Sequence, residues 1–224
     1  MHKNVKIKVL TKKLIAEFVG TCFLVMIVVG SGIMAQNLSS DQIIILLANT
    51  IATGAGLTAL IWIFITISGA HFNPAVSLIM YLNNELKLNE CIYFISVQFV
   101  GGFFGVLLAN IMYGLDPIQI AENQRGGLNI YFSEFIATFG LIMTIIGVKN
   151  FNTFAIAPAV GLYISAGYWF TSSSSFANPA VTLSRAFTDT FTGINYEFIL
   201  PFIIFQLFGA LSAMFMMKLI QRDN

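Results

Sequence analysis

The stretch "HFNPAVS", residues 71–77, shares its Asn-Pro-Ala-Val core with "FANPAVT", residues 176–182. The two copies use two of the five prolines in the chain. Asparagine is favoured just before a helix, and proline suits the first helical position because its missing N–H needs no partner there. Each copy therefore predicts the start of a short helix. The two motifs consist of Asn73, Pro74, Ala75, Asn178, Pro179 and Ala180.

The composition of the chain indicates a membrane protein. Of its 224 residues, 57% are hydrophobic and 9% are charged, whereas a soluble domain has about 25% charged residues. The net charge of +1 predicts no general attraction to nucleic acid. Cys22 and Cys91 lie inside apolar runs, which favours reduced packing residues over a disulfide or a metal site. We expect no cofactor, and the lack of HExxH and GxSxG motifs argues against an enzyme.

Six apolar segments, separated by polar connectors, are long enough to cross a bilayer as helices of roughly 20 residues. Their even spacing predicts one domain, residues 1–224, with an all-α membrane fold. The first segment follows basic residues, as a signal peptide does, but it contains Glu17 and is long enough to span, so we expect it to be retained. The predicted spans are 12–35, 42–68, 90–113, 130–149, 154–172 and 197–219.

The distribution of lysine and arginine predicts the orientation in the membrane. With six spans, nine of the eleven basic residues fall on the face that carries both termini, and Arg125 and Arg185 fall on the other. Positive residues accumulate on the cytoplasmic side of membrane proteins. We therefore expect an integral protein of the inner (plasma) membrane with both termini in the cytoplasm. The nine residues are Lys3, Lys6, Lys8, Lys12, Lys13, Lys87, Lys149, Lys218 and Arg222.

The two halves of the chain resemble each other. "AEFVGTCFLVMIVVG" (16–30) matches "SEFIATFGLIMTIIG" (133–147), and "QFVGGFFG" (98–105) echoes "QLFGALSA" (206–213). Each Asn-Pro-Ala motif lies between its glutamate segment and its glutamine segment. Three spans per half reverse the second copy in the membrane, which predicts an inverted 3+3 repeat with its site at the midplane. The two repeats cover about 10–113 and about 129–220.

Two half-helices that start at the bilayer centre, one from each face, predict a pore for uncharged solutes. Each helix N-terminus carries roughly half a positive charge, so the two ends together repel cations, including hydronium. The side chains of Asn73 and Asn178 can donate hydrogen bonds into the lumen and orient a water molecule so that it interrupts a proton wire. Non-helical backbone at this depth is tolerated where it lines a cavity.

The chain resembles the aquaporin, or major intrinsic protein, family in four features. These are "SGAHFNPAVS" (68–77), the second "NPAV", the "AEF" that opens the first span, and the paired Gln-x-x-Gly segments. The resemblance covers about residues 10–219 and implies an aquaporin-like bundle of six transmembrane helices plus two re-entrant half-helices. It also implies homotetramers in the lipid bilayer, with one pore per subunit for the passive flux of water or small neutral solutes such as glycerol.

Water and glycerol channels of this family usually have an arginine directly after the second Asn-Pro-Ala, where it forms the narrowest filter. Here that position is Val181. The other filter positions carry over to Thr53, to Ser175 and, in the fifth span, to either Ala166 or Tyr168. Thr53, Ser175 and Val181 are neither bulky nor charged, so we expect a wider or less polar constriction than in a water-selective channel.

The stretch "NPAVTLSRAFTDTFTGI" (178–194) resembles a bacterial subgroup of the family that has valine in place of the filter arginine. That subgroup includes channels linked to arsenic handling. Arsenite at neutral pH is the uncharged As(OH)3, which is similar in size to glycerol. A wider, neutral filter suits such a solute, so arsenite is a candidate substrate beside water and glycerol.

Arg185 lies four residues beyond Val181 and seven beyond Asn178, so the three residues share one helical face. Four helical residues place Arg185 about 6 Å further towards the external mouth. There it replaces the missing filter charge in a wider vestibule. Alternatively, it snorkels to the headgroups or pairs with Asp189. The matching stripe of the first repeat is Asn73, Val76 and Met80.

Glu17 and Glu134 are carboxylates within predicted spans, which normally indicates a functional role. The resemblance implies that they lie beside the pore and hold the backbone of the re-entrant loops. Gln98 and Gln206 then make polar contacts between helices, and His71 braces the first loop. In the alternative, Glu17 and Glu134 couple transport to protons, and the protein is an ion-coupled secondary transporter.

Overall fold

The computed structural model describes residues 2–221, apart from the side chains of residues 2–7 and 150. Within that range every regular element is helical. The α-helices are α1 (His2–Leu38), α2 (Gln42–Phe64), α3 (Pro74–Leu82), α4 (Leu88–Met112), α5 (Leu128–Phe151), α6 (Ile156–Phe170), α7 (Pro179–Ser184) and α8 (Ile199–Ile220). Single 3₁₀ turns are formed by Thr153–Ala155, Arg185–Phe187 and Tyr196–Phe198. Arg222, one of the nine basic residues counted above, lies outside the described residues.

Six helices in residues 2–221 are long and apolar enough to cross a membrane, which confirms the predicted all-α fold of six spans. Two predicted spans, 42–68 and 154–172, extended too far at their C-terminal ends. α2 ends at Phe64, after which the chain continues as turns towards the first motif. α6 ends at Phe170, because the backbone of Thr171 is extended and begins the second re-entrant loop.

The order of two long helices, one short helix and one long helix occurs twice along the chain. α3 has nine residues and α7 has six, which makes them about 14 Å and 9 Å long at 1.5 Å per residue. Neither can cross a hydrocarbon core of about 30 Å. Both begin at the proline of an Asn-Pro-Ala motif, and they contact each other inside the bundle. They are the two re-entrant half-helices.

Six crossings bring both ends of the described chain to one side of the bundle, which we call the terminal face. We call the other side the opposite face. α3 and the α3–α4 connection lie towards the terminal face, and α7 with the turns after it lies towards the opposite face. The two half-helices therefore start near the middle and point in opposite directions, as an inverted repeat requires.

Glycine permits close crossing of the long helices. α1 packs mainly on α4, and its counterpart α5 packs mainly on α8. A Cβ atom at Gly101 of α4 would lie 2.5 Å from the carbonyl oxygen of Phe18 in α1. A Cβ atom at Gly209 of α8 would overlap the carbonyl oxygen of Phe135 in α5. Each phenylalanine directly follows the glutamate of its repeat, so the same crossing is built twice.

Large apolar side chains cover the outer surface of the bundle. Ile63, Leu162 and Phe208 are at least 58% exposed, whereas Glu17 and Glu134 are fully buried. This distribution is the reverse of a soluble protein and matches a surface that faces lipid tails. The chain is therefore an integral, multi-pass membrane protein.

Replacing Gly101 by alanine should lower the thermal stability of the protein, because the new methyl group meets the backbone of α1. Overpacking of this kind costs about 1–3 kcal/mol. The measurement is the midpoint of thermal aggregation in detergent, followed by size-exclusion chromatography. Gly147→Ala is the matched control, since the nearest neighbour of its new Cβ atom is the Met217 methyl group at 3.7 Å. Equal stability of the two variants would contradict the close crossing.

Candidate pore and selectivity region

Reciprocal hydrogen bonds join the two Asn-Pro-Ala motifs at the centre of the bundle. In each motif the asparagine Oδ1 accepts a backbone N–H of the half-helix that it begins, at 2.9 Å in both. Asn73 Nδ2 donates to the carbonyl oxygen of Ala177 (2.7 Å), and Asn178 Nδ2 donates to that of Phe72 (2.8 Å). An amide nitrogen carries two protons, so each asparagine keeps one N–H for the cavity that it lines.

The loops before the two half-helices have the same uncommon backbone conformation. In both loops φ is positive at four, three and one residues before the asparagine. A left-handed conformation costs a residue other than glycine roughly 1–2 kcal/mol, so contacts with the surrounding helices must hold the loops in place. The residues are Gly69, Ala70 and Phe72 in the first loop and Ser174, Ser175 and Ala177 in the second.

Glu17 of α1 supplies the acceptors for the first loop. Its Oε1 accepts from the Ser68 hydroxyl (2.5 Å) and from the N–H of His71 (3.0 Å). Its Oε2 accepts from the N–H of Phe72 (2.7 Å) and from the side-chain amide of Gln98 (2.8 Å). Four donors thus surround one buried carboxylate, and such charge-assisted bonds are about twice as strong as neutral ones.

Glu134 of α5 has the equivalent position in the second repeat. Its Oε1 accepts from the N–H of Phe176 (2.9 Å). Its Oε2 accepts from the N–H of Ala177 (2.9 Å) and from the side-chain amide of Gln206 (2.6 Å). One carboxylate in each repeat therefore satisfies the backbone donors that the re-entrant loop cannot pair within itself.

Gln98 and Gln206 extend these contacts to the half-helices. Gln98 donates to Ser77 Oγ in α3, and Gln206 donates to Thr182 Oγ1 in α7, both at 2.9 Å. The Nδ1 atom of His71 lies 3.1 Å from the Ser77 hydroxyl. His71 lines the cavity, whereas both glutamines and both span glutamates lie behind the loops.

A cavity of about 270 Å³ runs through the bundle past both asparagines. Lys13, Glu85 and Lys149 bound it at the terminal face, and Tyr168 and Arg185 bound it at the opposite face. The re-entrant loops form a polar wall, and aliphatic side chains of the long helices form the wall across from it. The aliphatic residues are Leu24, Val28, Leu57, Ile61, Leu141, Ile145, Val160 and Ile164.

The stripes predicted along both half-helices face this cavity. The first contains Asn73, Val76 and Met80, and the second contains Asn178, Val181 and Arg185. A spacing of three and seven residues places side chains on one helical face, so the pattern of the sequence was sufficient to orient both half-helices.

Thr53, Tyr168, Ser175 and Val181 line the end of the cavity near the opposite face. The Tyr168 hydroxyl donates to Thr53 Oγ1 at 3.2 Å, so α6 and α2 are linked at the cavity wall. Ala166 is exposed on the outer surface, and its assignment to the filter is wrong. Residues two apart on a helix point about 200° away from each other, so only one of this pair can face the cavity.

Arg185 lines the same end of the cavity, and its guanidinium group lies against an aromatic ring. α7 ends at Ser184, and Arg185 begins a 3₁₀ turn. The guanidinium carbon lies 3.4 Å from the ring centroid of Phe176, two residues before Asn178. Long side chains lean towards the N-terminus of their helix, which fits a guanidinium group that lies over the ring of a residue preceding the half-helix.

Both alternative positions of Arg185 are wrong. The residue is 3% exposed, which excludes a position among the headgroups. Its Nε donates to the carbonyl oxygen of Thr192. The Asp189 carboxylate accepts the backbone N–H of Glu122 (3.0 Å), and no ion pair joins it to Arg185 among the described residues.

Two residues of this region were not predicted from the sequence. Phe176 carries the ring on which Arg185 lies, and the Arg125 guanidinium carbon is 5.3 Å from the centroid of the same ring. In the sequence, Arg125 was distinguished by being one of two basic residues predicted on the face opposite the termini. Burial lowers the pKa of Arg125 from its ordinary value, although an arginine keeps its charge at physiological pH.

The terminal-face mouth carries two ion pairs that local sequence patterns did not predict. Lys149 at the end of α5 pairs with Glu85 in the loop after α3. Lys13 of α1 pairs with Glu90 of α4, with a distance of 3.7 Å between Nζ and Oε2. Pairs that are partly exposed, like these, contribute about 0–1 kcal/mol to stability, so their main effect is a polar, charged entrance.

The fold and the cavity define a membrane channel built from an inverted repeat. Residues 3–153 match the family described as "Major intrinsic protein". The chain is 46% identical over 209 residues to Aquaglyceroporin AqpS from Rhizobium meliloti (strain 1021), which covers 93% of this chain and 90% of that protein. It is 30% identical over 199 residues to Aquaporin C from Dictyostelium discoideum, covering 83% of this chain and 73% of that protein.

A solved structure shares the fold. The X-ray structure of the aquaglyceroporin from Plasmodium falciparum matches with a TM-score of 0.74 and 24% sequence identity, covering 95% of this chain and 98% of that chain. The chain belongs to the major intrinsic protein family, whose members are passive channels and not enzymes. This confirms the family resemblance inferred from the paired Asn-Pro-Ala motifs.

Glu134→Gln should destabilise the second re-entrant loop, because an amide has one acceptor oxygen where the carboxylate has two. Each buried donor left unpaired costs about 1–3 kcal/mol. Thermal stability in detergent and the water permeability of proteoliposomes should both fall. Glu122→Gln is the matched control, since the Glu122 side chain is exposed. A Glu134→Gln protein as stable and permeable as the control would contradict the role of this carboxylate.

Proposed function

We propose that the protein is a passive channel for water and small uncharged solutes, with glycerol-like molecules as the main solute class. The observation that carries this proposal is the cavity, which passes between the two asparagines and has one polar and one aliphatic wall. Such a cavity suits molecules that carry hydroxyl groups on a small apolar skeleton. The relative named as an aquaglyceroporin, 46% identical to this chain, supports the same solute class.

The electrostatics of the cavity favour neutral solutes over cations. The N-termini of α3 and α7 meet at its centre, and each contributes roughly half a positive charge. Asn73 and Asn178 each present one N–H there, and Arg185 adds a full positive charge at the opposite-face end. A lone pair on a solute oxygen can accept these donors, whereas a cation meets positive potential along the central part of the path.

The contacts of Glu17 and Glu134 support a channel over an ion-coupled transporter. A coupled transporter needs a titratable or ion-binding group at the midplane that the lumen can reach. Glu17 accepts four hydrogen bonds and Glu134 accepts three, all from protein donors. Neither carboxylate lines the cavity. Both carboxylates use their acceptor oxygens to hold the re-entrant loops.

Val181 supports a filter that admits solutes larger than water. A short aliphatic side chain occupies the position that holds arginine in typical members of the family, and Thr53 and Ser175 beside it are small. Uncharged As(OH)3 is similar in size to glycerol, so arsenite is a further candidate solute. The buried ring of Tyr168 limits the width from the side of α6.

We also propose the orientation and assembly of the channel. The terminal face carries most of the basic residues, which supports a cytoplasmic position for both termini in the inner membrane. Family membership and the apolar outer surface support a homotetramer in which each subunit has its own pore. The chain is then a single channel domain, residues 1–224, made of two inverted repeats.

Proteoliposomes that contain the protein should take up glycerol and urea at rates that rise linearly with the solute gradient. The physical reason is that a passive pore neither saturates at low concentration nor exchanges protons with its solute. Stopped-flow light scattering measures the rates, with protein-free liposomes as the control. Saturable uptake that depends on a proton or sodium gradient would instead favour the transporter.

Val181→Arg should narrow the solute profile towards water, because the longer side chain enters the cavity beside the Tyr168 ring. We expect glycerol flux to fall about tenfold or more, equivalent to roughly 1.4 kcal/mol of added barrier, while water flux is largely kept. Val181→Leu is the matched control, since it adds volume without charge. A wild-type protein that conducts water but neither glycerol nor urea would contradict the wide filter.

A further inference from the structure

Three consecutive carbonyl groups hold two arginines at the opposite-face mouth. The carbonyl oxygens of Phe191 and Gly193 accept hydrogen bonds from Arg125, through Nη2 and Nε respectively, both at 2.8 Å. The carbonyl oxygen of Thr192, which lies between them in the chain, accepts from Nε of Arg185. One short segment therefore fixes a guanidinium group from the loop before α5 and another from the turn after α7.

Both guanidinium groups also lie against one aromatic ring. The guanidinium carbons of Arg185 and Arg125 are 3.4 Å and 5.3 Å from the ring centroid of Phe176, within the range of about 6 Å for a cation–π interaction. The ring is itself held in place. It packs edge-to-face on Phe202 at 5.1 Å, and the N–H of its residue donates to Glu134. The ring thus links the positions of the two arginines.

Neither positive charge is neutralised by an ion pair within the part of the chain that the structure describes. The carboxylate of Glu134 is occupied by the second re-entrant loop, and that of Asp189 accepts a backbone N–H. Arg185 is buried and Arg125 is half-buried. Withdrawing an unpaired charge from water is destabilising, and two like charges near one ring add repulsion. If the two arginines served only to stabilise the fold, a carboxylate beside them would be favourable. Their uncompensated positive charge therefore indicates a role in discriminating between charged and neutral solutes.

Arg125 also lines a depression on the opposite face, outside the main cavity. Asp189 is the acidic residue in the lining of this depression, and the other polar side chains there are uncharged. These are Gln36, Gln42, Asn123, Gln124 and Thr190. Arg125 thus lies in a depression of the opposite face, whereas Arg185 lines the main cavity, and the Phe176 ring lies close to both guanidinium groups.

We propose that Arg125 is a second cation of the selectivity region and acts in series with Arg185 to exclude cations. This inference rests on the proposed channel function and deepens it. A fixed positive charge raises the barrier for a cation through Coulomb repulsion and leaves a neutral molecule of the same shape almost unaffected. Two arginines from outside position 181 thereby compensate for the charge that Val181 lacks.

The fluxes of guanidinium and urea separate charge from size, because both are small planar molecules and only guanidinium is a cation. Uptake of each into proteoliposomes is measured for the wild type, Arg125→Gln, Arg125→Lys and Arg185→Gln. Lys87→Gln is the matched control, since it removes an exposed positive charge at the terminal face. Water permeability and size-exclusion chromatography show that each variant is folded.

Arg125→Gln should raise guanidinium uptake by roughly threefold or more without a matching change in urea uptake, because Coulomb repulsion between two cations exceeds thermal energy over several ångströms in a partly dry site. Arg185→Gln should raise it further, since Arg185 lines the cavity itself. Arg125→Lys should still exclude guanidinium, because it keeps the charge while losing the planar pair of donors. Arg125→Met removes the same charge and is measured in its place if the glutamine variant does not fold.

Equal leakage through Arg125→Gln and Arg125→Lys, or no increase in either, would show that Arg125 only braces the loop and would overturn the proposal. The proposed channel function fails separately. It is overturned if the wild type conducts neither water, urea nor glycerol above the lipid background. In that case, increased guanidinium uptake through Arg125→Gln would still support the cation barrier.

Discussion

The structure depends on the hydrogen bonds that Asn73 and Asn178 each donate to a carbonyl group of the other repeat's loop. These bonds lie where two stretches of non-helical backbone meet inside a membrane protein, away from bulk water. Backbone groups at that depth must be paired by the protein or by a cavity. Each loop therefore uses the asparagine of the other half and the glutamate of its own half, and neither half can form the centre alone.

The same contacts determine what the cavity can do. Glu17 and Glu134 accept hydrogen bonds from the re-entrant loops and do not line the cavity, so they hold its polar wall in place from behind. The asparagines leave one N–H each for the lumen, and the half-helices add positive potential at the same place. A polar wall made of strained loops then faces an aliphatic wall made of long helices. Pairing the backbone and selecting neutral solutes are thus two consequences of one arrangement.

The positive charge near the filter combines an expected residue with an unexpected one. Val181 in the arginine position predicted a less polar constriction with Arg185 as the replacement charge, and in the structure both Arg185 and Arg125 lie near the ring of Phe176. The positions are held by carbonyl groups of residues 191–193. The positive charge that position 181 lacks is thus present at the Phe176 ring. Arg185 contacts this ring through its long side chain, and the loop before α5 places Arg125 near the same ring.

The sequence by itself determined the six spans, the two half-helices and the inverted repeat. Three features of the chain were enough for this: the length of the apolar segments, an asparagine before a proline, and the similarity of the two halves. All three can be recognised without knowing which distant segments contact each other. The sequence also oriented the stripes of both half-helices. Only the tertiary structure decided that Tyr168 rather than Ala166 faces the cavity, where the Arg185 guanidinium lies, and that Arg125 joins it. Those outcomes depend on helix rotation and on contacts of long side chains with segments far away in the chain, which no local pattern encodes.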